Sequence, residues 1–150
     1  MNVHEDEESP LPFPEKKAWL GLLTIALVYS GFLASVANLP TDERTLIEVF
    51  VRFAIALVCQ GVIMAIGLRL LAIRDPDEAK APLDERDRAI AHRAISIAFA
   101  FLMVEVLLLA LVRPALVPDW HMSVAMLLGI ALADAVRNLG IIINYHRRHA

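Results

Sequence analysis

Four apolar stretches, Ala18 to Leu39, Thr45 to Ile73, Ala94 to Val112 and Met122 to Tyr145, decide what this chain can become. Each comes close to or exceeds the roughly 20 residues needed to cross a hydrocarbon core about 30 Å thick. The segments between them carry most of the charge and proline. In lipid only helices and closed barrels satisfy every backbone group, and none of the four stretches alternates with the period of a barrel strand. An all-α, four-transmembrane-helix bundle follows, with helices over about 18–39, 45–73, 84–112 and 120–146. A water-soluble bundle would need a polar face on each helix. At 58% hydrophobic residues the chain has none to spare.

Residues 1–15 open with an acidic, proline-rich run, which predicts a disordered tail ahead of a transmembrane domain over 16–150. The first apolar run is too long for a secretory signal, although Ser35-Val36-Ala37 mimics a cleavage site, so the first helix is expected to be retained. Lys and Arg near helix ends set orientation. Lys16, Lys17, Arg69, Arg74, Lys80, Arg86, Arg88, Arg93, Arg147 and Arg148 fall on the side holding both termini, against Arg44 and Arg113 opposite. Both termini are therefore expected in the cytoplasm. The net charge of −3 does not bear on this rule, because acids contribute little to it. The chain has one cysteine, Cys59, in mid-span, so no internal disulfide or redox pair forms.

The longest polar segment between helices is residues 75–93, DPDEAKAPLDERDRAIAHR. Pro76 and Pro82 end the second helix. Asp84 then reads as an N-cap, with Asp87 in the capping-box position and Arg88 four residues on, able to pair with Asp84. The third helix thus begins in the cytosol. Its first turn, Asp84, Glu85, Arg86, Asp87 and Arg88, is either a solvated helix start or a docking surface for a cytosolic or membrane partner. TDER at Thr41 to Arg44 and LDER at Leu83 to Arg86 form a short echo on opposite faces, a length that chance alone supplies.

Polar residues inside the spans form the candidate site: Glu48, Arg52, Gln60, Glu105, Asp134, Arg137 and Asn138. A central charge facing lipid costs about 2.5–3.5 kcal/mol, so these groups are expected to face one another or water. At about 1.5 Å per residue from the outer ends, Arg52 lies about 9 Å deep and Glu105 about 12 Å, which predicts an Arg52–Glu105 pair. Gln60 and Asp134 both fall about 18–21 Å deep, with Arg137 and Asn138 a turn further in. Glu48, Arg52, Ala56, Gln60 and Met64 repeat every four residues and mark the inward face of the second helix. Small residues at the same spacing (Gly31 and Ser35; Gly61 and Ala65; Ala125, Gly129 and Ala133) predict close helix packing. Glu105 and Asp134 with Arg52 and Arg137, two acids and two bases at pairable depths, favour internal clasps. Ion or proton transport and an oligomer contact are the other readings.

Nucleophile elbows, zinc-protease motifs and phosphate-binding glycine loops are absent, and no residue pattern implies a metal or cofactor. Trp120, between Asp119 and His121, reads as an interfacial anchor, and His146 and His149 as part of a basic tail at the lipid surface.

The run DERDRAIAHRAISIAFAFL, with ADAVRN and the closing INYHRR, resembles an uncharacterised family of small prokaryotic membrane proteins. Its members carry D-E-R-[DE]-x-x-I before one helix and A-[ED]-x-V-R in the next. Those motifs fall here on Asp84, Glu85, Arg86, Asp87 and Ile90, and on Ala133, Asp134, Val136 and Arg137, with Asp134 where Glu is commoner. The resemblance covers the C-terminal half; the first two helices share only its general character. Family members often stand beside genes for small helix-turn-helix regulators, which implies a regulatory role by analogy. The expected protein is a non-catalytic, multi-pass protein of the bacterial inner membrane, a regulatory or accessory subunit. Its partners are the bilayer, a cytosolic or membrane protein and further copies of itself, with no direct nucleic-acid binding. The alternative is a small oligomeric transporter or proton-coupled channel using Glu105 and Asp134.

Overall fold

The computed structural model describes residues 11–40, 45–81, 84–112 and 119–147. Among them are five helices: α1 (Phe13–Ala37), α2 (Leu46–Arg74), α3 (Pro76–Lys80), α4 (Glu85–Val112) and α5 (Asp119–His146). All except the single-turn α3 are long and apolar enough to cross a membrane. The chain has the form of a multi-pass membrane protein.

Helix boundaries follow local chemistry. Thr45 caps α2, its hydroxyl accepting the Glu48 N–H at 3.3 Å. Asp84 occupies the cap position of α4, its carbonyl accepting the Arg88 N–H at 3.1 Å and its carboxylate the Glu85 N–H at 2.7 Å. Its side chain therefore serves the backbone instead of pairing with Arg88. Pro76 starts α3, where a missing N–H costs nothing. At α1 the same rule moves the boundary. Pro12 precedes the helix and Pro14 stands in its first turn, so α1 begins at Phe13, ahead of the apolar run and inside the segment expected to be a disordered tail. Residues 1–10 of that tail lie outside the described residues, as do the TDER echo and the basic residues Arg113 and Arg148.

Packing is uneven. Helix α1 lies between α2 and α5, whereas α4 packs chiefly against α5. One apolar cluster joins α1, α2 and α5 through Tyr29, Phe32, Val49, Phe53, Leu127 and Ala131. Phe53 meets Tyr29 at 5.9 Å and Phe32 edge-on at 5.7 Å between ring centroids. The other, made by Ala18, Ile90, Ala94, Ile141, Ile142 and Tyr145, joins α1, α4 and α5 at the end of the bundle carrying the termini. Most large apolar side chains, among them Leu27, Val58, Ile73, Phe99 and Leu107, are exposed on the outside, as lipid-facing residues should be.

Glycines divide into two groups. A Cβ at Gly21 would stand 2.9 Å from Asn138 Nδ2, and one at Gly67 would stand 2.6 Å from Leu20, so these two and Gly129 admit a neighbour. A Cβ at Gly31 or Gly61 would meet nothing within 4 Å, so neither glycine marks a close helix approach. The spacing of small residues alone does not fix which side of a helix meets a neighbour.

Candidate functional site

The polar seam is built mainly on two helices. On α2 the row Glu48, Arg52, Ala56, Gln60 and Met64 is half-buried or buried throughout, on the inward face that its spacing predicts. Arg52 does not reach Glu105. Its Nε and Nη2 each lie 3.1 Å from Glu48 Oε1, and Nη1 donates to the Ser35 carbonyl of α1 at 3.2 Å. The reason is lateral: equal depth places two groups at one level, but α4 packs on α5 and α2 packs chiefly on α1. The partner four residues back on the same helix requires no such approach.

Glu105 is thereby left without a base among the described residues. Its carboxyl group lies across the α4–α5 contact, where a Cβ on Gly129 would overlap Oε2. Oε2 is buried and has no hydrogen-bond partner. Around it lies a hollow of about 320 Å³ with mainly apolar walls, including Phe50, Leu102, Val106 and Met126.

On α5, Asp134, Arg137 and Asn138 form one connected group. Arg137 Nη1 lies 3.4 Å from Asp134 Oδ1, one turn along the same helix. Asn138, 6% exposed, donates to the Asp134 carbonyl at 3.0 Å while its amide covers Gly21. Gln60 and Asp134, expected at one depth, do line one space: a cleft of about 500 Å³ to which all five helices contribute. Gln60 Oε1 is buried and has no hydrogen-bond partner.

Towards the end carrying the termini, the cleft reaches Lys17, Glu78, Asp87 and Tyr145. Polar contacts that sequence patterns did not suggest hold that end together. The Tyr145 hydroxyl donates to Asp87. Lys16 Nζ, at the start of α1, lies 2.7 Å from Asp75 and 3.5 Å from Glu78. Glu15, 1% exposed and expected in a tail, accepts or shares a hydrogen bond with His146 Nδ1 at 3.1 Å. Thus His146 joins the end of α5 to the start of α1 while its ring stays largely exposed. Grouping Lys16 with Asp75 and Glu78 was within reach of depth counting, since all three flank spans on one side. The Glu15–His146 contact was not, because it depends on α1 starting at Phe13.

Of the first turn of α4, Asp84, Glu85, Arg86 and Arg88 are exposed and only Asp87 is half-buried. Below it, Ile90 and Ala94 are buried against α5 and α1. The turn is thus anchored through its inner face and presents its other charges outward. The chain matches no protein-family model, no curated protein and no solved structure.

Proposed function

We propose that this chain is a non-catalytic regulatory or accessory subunit of the bacterial inner membrane, with both termini in the cytoplasm, and that the first turn of α4 docks a protein partner. The observation carrying this reading is the contrast within that turn. Asp87 is tied to Tyr145 and Ile90 is buried, while Glu85, Arg86 and Arg88 are exposed and form no ion pair with another described residue. A charged turn held on a packed base loses little freedom on binding, which is how preorganisation raises affinity. The resemblance of residues 84–90 to the D-E-R-[DE]-x-x-I motif points the same way. Charge reversal at Glu85, Arg86 and Arg88 together should abolish copurification of a crosslinked partner while leaving the helical content and monodispersity of the purified protein unchanged. Unaltered copurification would remove the docking role.

A second reading, a small proton- or cation-coupled transporter, is favoured by Glu105. An acid path needs a carboxyl group with no fixed base, and Glu105 is such a group. Asp134 suits it less well, since Arg137 faces it. Ion flux into proteoliposomes that disappears in Glu105→Gln would place this reading first.

A further inference from the structure

We infer that the cleft between Gln60 and Tyr145 binds an elongated, uncharged molecule that is apolar along its middle and hydroxyl-bearing at its ends. The first support is size. Its volume of about 500 Å³ falls within the range of about 300–1,000 Å³ typical of small-molecule sites. Eleven residues of α5 separate Tyr145 from Asp134, about 17 Å along the axis, so the occupant is long rather than compact.

The charges at the cleft balance, which favours an uncharged ligand: Lys17, Arg137 and the adjacent Lys16 match its carboxylates in number. Three carboxylates line the cleft, and each is already engaged: Asp134 by Arg137, Asp87 by the Tyr145 hydroxyl, and Glu78 by Lys16. Lys17 is exposed at the mouth. What the inner end offers is an acceptor, Gln60 Oε1, buried and with no hydrogen-bond partner. A buried carbonyl left without a donor is costly. A hydroxyl group satisfies it without introducing a charge. Beyond Arg137 and Asn138, which flank Asp134 at the inner end, the wall is apolar, formed by Ala18, Met64, Ile90 and Ile141. The cleft is therefore polar, apolar and polar in sequence, and a linear diol has the same order.

The test uses the full chain in phosphatidylcholine nanodiscs and two probes: decanediol carrying a diazirine at mid-chain, and the same compound methylated on both oxygens, which cannot donate. Photolabelling mapped by mass spectrometry should mark Met64, Ile90 and Ile141, with the diol about fivefold ahead of its ether, the factor one uncharged hydrogen bond supplies. Gln60→Leu should abolish that preference, and Ala91→Phe, which narrows the cleft, should abolish labelling of Met64 and Ile141 by both probes. Helical circular dichroism and a single elution peak identify folded variants, and either variant alone decides the matter. Equal labelling by diol and ether in the unaltered protein, no labelling of these residues, a preference that survives Gln60→Leu, or labelling that survives a folded Ala91→Phe would each overturn the proposal. None of these measurements depends on the docking turn or on a protein partner.

Discussion

The carboxyl group of Glu105 occupies the space that a side chain would take at Gly129 of the facing helix. Glycine at 129 is thus the condition for placing an acid inside the α4–α5 contact. Gly129→Ala must push the flexible carboxyl outward, towards lipid, and should destabilise the protein by about 1–3 kcal/mol in a detergent unfolding titration. Glu105→Ala combined with Gly129→Ala should recover most of that loss. Additive losses would show that the two residues do not share this space.

Glycines with and without neighbours should respond in opposite directions. Gly31→Ala and Gly61→Ala meet nothing within 4 Å and should be neutral or stabilising by up to about 1 kcal/mol, the helix-propensity difference. Gly21→Ala brings a methyl group to 2.9 Å from the buried Asn138 amide and should lower the unfolding midpoint. A stabilised Gly21→Ala would contradict the α1–α5 packing described above.

Arg52 supplies a double-mutant cycle with a built-in control. Paired with Glu48, it should show a coupling energy of about 0.5–3 kcal/mol between Arg52→Leu and Glu48→Leu. Between Arg52→Leu and Glu105→Leu the losses should add. Coupling in the second cycle and none in the first would reverse the assignment.

Tyr145→Phe removes the donor to Asp87 and nothing else. A hydrogen bond to a charged group is worth about 1.5–3 kcal/mol, and a loss in that range is expected. Asp87→Asn should cost less, because the amide oxygen still accepts. Reduced partner recovery with Tyr145→Phe, at unchanged expression, would further connect this anchor to the docking turn.

Orientation has its own test. Alkaline phosphatase fused between Asp42 and Arg44 should be active, and the same enzyme fused at Ala81 inactive. Green fluorescent protein placed after Ala150 should fluoresce. Activity at Ala81 would invert the membrane orientation.

Sequence alone determined that four segments are helices long enough to cross a membrane, because span length and apolarity are summed along the chain and need no partner. It also determined the inward face of α2, since a four-residue repeat is a property of one helix, and that Gln60 and Asp134 could line one space, since rise per residue is constant. Depth is only one coordinate. Which helices stand side by side is set by the match of side chains between surfaces, and only the tertiary structure decided that α4 leans on α5, leaving Arg52 to Glu48 and Glu105 to the notch at Gly129. The same lateral packing selected which glycines admit neighbours and enclosed the cleft, whose five contributing helices are adjacent only in the folded chain. Likewise Glu15 meets His146 across nearly the whole length of the chain, because the first helix begins at Phe13, ahead of its apolar run. Local periodicity carries no information about such a contact, which exists only once both ends pack at one face of the bundle.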